Sequence, residues 1–327
     1  MRNLKVYRGG ILVSFAGMVW AAGAPAVQAA ITIDTVHVAD AGNPADVYTN
    51  NYGSVGYDYD IGKYEVTSKQ YTAFLNAVAA TDTYGLYNPA MSGLIGGHPG
   101  IAQSGLSGSY TYSFDPGRGS HPVTDVTFWD AARFANWLSN GQPTGVAEGP
   151  GTTETGTYTL TANSIANNTA TRDGGGHWAV ASSDEWYKAA YYNGSAGTYS
   201  YYPTQSNTLT TTQANVYGNP LVDSTPVGSY AYPSYYGTYD QAGNAYELTD
   251  EIRYGTERAI RGGSWYTAAY DASVFFNNEV PATNADYFIG FRVSFSSVPE
   301  PGSFALISLG ATSLLSTRKR NRPGNSK

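Results

Sequence analysis

The residue types that carry out chemistry are unevenly supplied in this chain. Among 327 residues there is no cysteine, and the histidines are His37, His98, His121 and His177. Without a thiol the chain alone can build no disulfide framework, zinc–thiolate cluster, thiol redox centre or cysteine nucleophile. The histidines form no His-x-x-x-His pair, so an iron site would have to gather them from distant segments. Each also has a plain structural reading: His98 precedes Pro99 in a Gly-rich stretch, His121 opens a packing segment, and His177 precedes Trp178. Gly262-Gly263-Ser264 is not a hydrolase nucleophile elbow merely because it contains serine. Gly96-Gly97 lacks the downstream Lys and Ser or Thr of a phosphate loop. Oxygen donors, in contrast, are plentiful, so calcium is the metal best matched to this composition.

The chain holds 29 tyrosines, and its aromatic content of 14% exceeds its charged content of 13%. Aromatic faces stack on sugar rings or peptide apolar surfaces while Asn, Asp and Thr supply hydrogen bonds. Tyr191, Tyr192, Tyr201, Tyr202, Tyr235 and Tyr236 lie where Gly, Pro, Asn and Thr interrupt regular structure, and are expected on loops, either as exposed recognition faces or simply as cover for loops in a chain poor in long helices.

The two ends differ from the middle. Arg2, Lys5 and Arg8 precede an apolar run from Ile11 to Ala24 and small residues through Ala30, the pattern of a secretory signal peptide over residues 1–30. Val298-Pro299-Glu300-Pro301 introduces an apolar stretch from Phe304 to Leu315, followed by Arg318, Lys319, Arg320 and Arg322. Between the ends, residues 31–299 keep ten basic and 24 acidic side chains, so the net charge of −7 for the whole chain becomes about −14 for the body. A body this acidic disfavours nucleic acid and anionic membranes, and suits cation binding or an extracellular surface.

A small set of elements must position these side chains. Alternation from Ile31 to Val38 predicts a strand, and Tyr57 to Ile61 a second. Thr67 caps a helix whose Tyr71, Phe74, Leu75 and Val78 form a buried face. Thr127 and Asp130 open another, with Phe128, Ala131, Ala135 and Leu138 at helical spacing. Ser182 followed by Glu185 is a capping box for a third. Asn88 to Gly119 reads as an elaborated loop, and Asn140 to Asp173 as either a small hairpin around Thr157 to Leu160 or an ordered surface insertion.

Several ordered segments then resemble the formylglycine-generating enzyme and sulfatase-modifying-factor superfamily. They are Asp58 to Thr67 with Gln70 and Tyr71, His121 to Ala132, Asp184 to Ala190, Gly243 to Asp250, Arg261 to Trp265, and Gly290 to Val293. The tail from Val298 resembles a PEP-CTERM sorting signal, which implies an exosortase-type processing system as partner and transient or processed membrane association. Together these divide the chain into a signal peptide (1–30), a sulfatase-modifying-factor-like domain (31–297) and a sorting tail (298–327).

The resemblance implies an α+β, compact, loop-rich fold related to C-type lectin-like folds. In formylglycine-generating members, paired cysteines after the Gly-Gly-Ser segment support copper-dependent oxidation of a substrate cysteine; Thr267 and Ala272 stand at those positions. Neither is a copper ligand, so that activity is not expected. The resemblance further points to two calcium neighbourhoods, one of Asn215, the Val216 carbonyl and Asp223, the other of Asn244, the Ala245 carbonyl and Glu247. Trp186, Arg261, Gly262, Gly263, Trp265 and Arg292 are expected to build the core, with both arginines anchoring carboxylates or carbonyls. The expectation is an exported, noncatalytic recognition or scaffold protein of a bacterial envelope or matrix, with a matrix glycan or protein as partner. The alternative is a non-heme metal-dependent oxidoreductase, iron being the candidate metal, that uses non-cysteine ligands.

Overall fold

The computed structural model describes residues 30–49, 51–93, 100–173 and 177–296. The expected leader (1–30) and the expected sorting tail (298–327) therefore lie outside the described residues, except for Ala30. In chain order the strands are β1 (Thr35–Val38), β2 (Tyr59–Gly62), β3 (Ile101–Ser104), β4 (Thr111–Phe114), β5 (Trp178–Val180), β6 (Tyr192–Asn193), β7 (Thr198–Tyr199), β8 (Tyr246–Arg253), β9 (Glu257–Arg261), β10 (Asn278–Pro281), β11 (Ile289–Phe291) and β12 (Val293–Phe295). The helices are α1 (Ser68–Val78), α2 (Phe128–Ser139), α3 (Ala162–Ala166) and α4 (Ser183–Tyr191).

Each of these helices starts where a short polar side chain satisfies backbone N–H groups that the first turn leaves open. Thr67 with Gln70, Thr127 with Asp130, Thr161 with Ser164 and Ser182 with Glu185 all form reciprocal capping boxes. The expected buried face of α1 is present, with Tyr71, Phe74, Leu75 and Val78 buried. Residues 128–138 of α2 are buried on every side, because α2 packs against β5, α1 and β8. Its Phe134 meets Phe74 at 5.4 Å and Phe291 at 5.5 Å, both edge to face. Truncating such a ring to alanine costs about 3–5 kcal/mol, so this cluster fixes the helix on the sheets.

Two four-stranded sheets form, ordered β1-β2-β12-β5 and β10-β9-β8-β11. The first is antiparallel, and the second contains one parallel pair, β11 with β8. β11 and β12 are separated by Arg292 alone, so one continuous run leaves one sheet and enters the other at that residue. Asn88 to Gly119 is more regular than its glycines suggest: a 3-10 turn at Pro89–Ser92 and the β3–β4 hairpin lie within it. Around Thr157 to Leu160 no hairpin forms; Tyr158 is fully buried and bridges to Arg172, and the chain then turns into α3.

Candidate functional site

The segment from Arg261 to Ala272 is built by two glycines in the left-handed region. Gly262 has φ 94° and Gly263 φ 71°, and a Cβ on Gly263 would stand 3.2 Å from the Ala272 nitrogen. Only glycine tolerates both that dihedral and that approach. The turn directs Ser264 toward Thr267, whose hydroxyl accepts from the Ser264 N–H at 2.9 Å while the Thr267 carbonyl accepts from the Tyr217 N–H at 2.8 Å. Ala272 is fully buried, and its carbonyl accepts from the Tyr191 hydroxyl at 3.1 Å. Thr267 thus caps a turn, and Ala272 fills a close contact.

Aromatic groups surround this segment. Tyr266 stacks on Phe288 at 5.9 Å and lies edge-on to Trp265 at 5.5 Å; Tyr266 and Tyr270 are exposed while Trp265 is buried. Beyond Ala272, Val274 and Phe275 enter a cleft of about 450 Å³ lined also by Val47, Tyr48, Tyr199 and Tyr201. Val47 and Tyr48 are 72% and 86% exposed there, unusual for large apolar side chains with a cleft beside them. The expected tyrosine loops are only partly of this kind. Tyr201 and Tyr235 are exposed, but Tyr191, Tyr192 and Tyr202 are buried, and Tyr236 is part-buried with its hydroxyl on Asp40. Ring packing at 4.8 Å between Tyr187 and Tyr191, and at 5.0 Å between Tyr192 and Tyr199, uses their faces internally.

The core residues separate into two kinds. Arg292 is fully buried at the crossing between the sheets, where it clasps both oxygens of Glu247 in β8 and donates to the Gly62 carbonyl in β2 at 2.9 Å. Trp186, also fully buried, donates its indole N–H to Glu247 at 2.7 Å. Arg261 departs from expectation. Among the described residues no carboxylate or carbonyl is bonded to its Nε or Nη2, which are buried, and its guanidinium lies over the Tyr52 ring at 4.3 Å and the Tyr187 ring at 5.3 Å.

The two oxygen sets are placed differently. Glu247 does not converge with Asn244 and Ala245 on a cation, because Arg292 and Trp186 already occupy its carboxylate. Asn244 accepts from the Thr225 N–H at 2.8 Å and donates to Glu65 at 2.9 Å, and the Ala245 N–H also donates to Glu65, at 3.1 Å. In the other set, Asn215 donates to the Asp223 carbonyl, and its own Oδ1 is buried without a partner. The Val216 carbonyl accepts from the Asn219 N–H, and the Asp223 carboxylate is held two-pronged by Arg118 at 2.7 and 3.0 Å.

Glu65 is the buried acid that the sequence reading passed over. Burial raises its pKa well above the ordinary carboxylate value, and the nearby Asp240 and Glu247 add to the rise. It lies inside the Tyr64-Glu65-Val66-Thr67 segment, where an acid between two apolar-leaning positions was the available signal. Among the described histidines, His121 is buried beside Ser224 at 3.1 Å and held down to about 4 by burial and by Arg118, while His37 and His177 are exposed. Among the described residues no three His, Asp or Glu side chains gather as a metal site.

A family profile described as sulfatase-modifying factor enzyme 1-like domain matches residues 35–296. The chain belongs to that family. Solved structures agree on the fold: CarF is 22% identical over 81% of this chain and 98% of its own, with a TM-score of 0.55. Treponema denticola variable protein 1 is 19% identical over 80% and 94%, with a TM-score of 0.52. No curated protein matches the chain. Formylglycine generation depends on cysteine thiolates that hold copper, and this chain has no cysteine, so it is a member without the family's thiol chemistry.

Proposed function

We propose that this chain is an exported, noncatalytic recognition domain that holds a matrix glycan or protein through the exposed aromatic surface around residues 265–275. The observation that carries the reading is that Tyr266, Tyr270, Phe275 and the Tyr48 cleft stay open in a family member that has no cysteine. Exposed aromatics next to a cleft mark recognition surfaces more often than they mark an idle fold. The leader and the PEP-CTERM-like tail support delivery to a bacterial envelope, with an exosortase-type system as processing partner. Among the described residues no helix is long and apolar enough to cross a membrane. Kinship with C-type lectin-like folds is part of the same proposal, resting on short strands joined by long ordered loops.

Calcium enters the proposal only at Asn215, whose orphan oxygen is the donor left open. Calcium takes six to eight oxygens, so Asp223 would have to leave Arg118 to join it. A broad glycan panel and a matrix pull-down, each with and without calcium, test the reading. Binding lost on Phe275→Ala or Tyr266→Ala is expected; uniform absence of binding overturns recognition in favour of a scaffold role. Incubation with a cysteine-containing sulfatase peptide, copper and oxygen is expected to give no formylglycine, and its production would overturn the noncatalytic reading. N-terminal sequencing of the exported protein is expected to begin near residue 31.

A further inference from the structure

Val47 and Tyr48 form the tip of a turn that is built to hold still. Buried Asp46 accepts from the Tyr48 N–H through Oδ1 at 3.1 Å, and its carbonyl accepts from the Thr49 N–H at 3.2 Å. The Tyr187 hydroxyl, from α4, donates to Asp46 Oδ2 at 2.8 Å and is bonded to the Thr49 hydroxyl as well. The Asp46 N–H donates to the Tyr52 carbonyl at 2.9 Å and closes the turn. An aspartate that bonds the backbone two residues on is a local turn lock. What this anchored turn presents to solvent is two large apolar side chains, 72% and 86% exposed.

Both side chains line the Tyr48 cleft without filling it. Tyr201 and Phe275, whose rings meet edge to face at 4.9 Å, line it too and are themselves exposed. One patch therefore carries a projection and a recess side by side. Charge narrows what can meet it. The body carries about −14, so it repels a copy of itself wherever acidic surfaces face each other. Among the described residues that line the cleft only Asp46 is charged, and both its carboxylate oxygens are engaged. No charged side chain occurs between Lys188 and Asp223, or between Asp271 and Glu279, the stretches that supply Tyr199, Tyr201, Val274 and Phe275. Two copies can bring this patch together without opposing charges.

We infer that two copies of this chain pair about a two-fold axis at this patch, the Val47–Tyr48 tip of each seated in the cleft of the other against Tyr201 and Phe275. A two-fold contact uses the same surface on both copies, so it needs a projection and its recess in one patch, and this patch has both. Tyrosine brings large contact area at small entropic cost, and a turn already fixed in the free chain loses little further freedom on docking. The inference rests on the reading of the Tyr48 cleft as a contact surface and names what fills it.

Sedimentation velocity of the full chain from about 1 to about 200 µM is expected to show a reversible monomer–dimer equilibrium with Kd of about 10 µM, weak because few side chains make the contact. Tyr48→Asp puts a charge on the tip and Phe275→Asp puts one in the recess. Each is expected to weaken pairing about 30-fold or more with an unchanged thermal midpoint. An equimolar mixture of the two variants is expected to pair more tightly than either alone, because the intact tip of one meets the intact recess of the other. Tyr254→Asp, at a tyrosine 84% exposed between β8 and β9, is expected to leave pairing unchanged. A monomer at every concentration, growth beyond the dimer, pairing that survives Tyr48→Asp, or a mixture no better than its parts overturns the inference. A monomeric wild type whose glycan or matrix binding is lost on Phe275→Ala ends this inference and leaves the recognition reading standing. A dimer that binds no glycan or matrix protein leaves this inference standing and ends that reading.

Discussion

Arg292 and Arg261 are both buried arginines in the core, and they are housed in opposite ways. Burial works against the charge of Arg292, but Glu247, Glu65 and Asp240 outweigh it and its pKa rises. Burial lowers the pKa of Arg261, and Tyr191, Glu251 and Tyr52 oppose that only in part. One guanidinium is a structural joint that meets a carboxylate, the carbonyls of Gly62, Lys63 and Tyr239, and both sheets. The other is a cation packed on aromatic rings with part of its hydrogen-bonding capacity unused. The contrast shows that position in a family segment predicts burial better than it predicts partnership.

The largest way to break this contrast is Arg292→Met. It leaves Glu247 buried beside Glu65 without its cation, and a loss of about 3–5 kcal/mol in denaturant unfolding is expected. The same logic governs acids. Burial alone would raise Glu185, but Arg172 at 2.7 Å outweighs it and holds the carboxyl down to about 2. Its folded pKa lies below its ordinary value, so its stabilisation is full above about pH 4.5 and is lost as pH falls through 2. Glu185→Gln should therefore flatten the acid limb of the thermal midpoint profile.

Asp130, with a pKa raised to about 6 by burial, has the opposite sign. It binds its proton more tightly when folded, so it favours the folded state at low pH and this advantage fades as pH rises from about 4 to 6. Asp130→Asn, which keeps a capping side chain, should remove that decline, a smaller effect than the Glu185 one. The smallest effect is expected for Arg261→Met. Replacing an incompletely paired buried cation by an apolar side chain should change unfolding by about 1 kcal/mol or less in either direction. A loss comparable to that of Arg292→Met would erase the distinction between the two arginines.

Much of the helical framework was legible because caps are local. Thr67 with Gln70, Thr127 with Asp130 and Ser182 with Glu185 are each three residues apart and announce a helix directly. The Thr161–Ser164 cap of α3 was missed because serine at its third position is not the usual Glu or Gln. Gly262 and Gly263 were legible as a place of tight approach because only glycine allows it, and both have positive φ with little room for a Cβ. What stayed hidden depends on distant partners: Arg118 reaches Asp223 across 105 positions, and Arg292 reaches Glu247 across 45. Those pairings are what close the expected second calcium set and occupy Asp223. The tyrosines misled for a related reason, since a tyrosine ring is equally at home in a loop and in a core that gives its hydroxyl a carbonyl, as Ala272 does for Tyr191.

The passage of one strand run through Arg292 also has a mechanical side. β12 lies between β2 and β5, so tension applied at residue 296 would shear bonds on two neighbours at once rather than peel an edge. The same pull would reach the second sheet through the Arg292 clasp one residue upstream of β12. A pull applied at that point would therefore draw on the interior of the domain rather than on an edge.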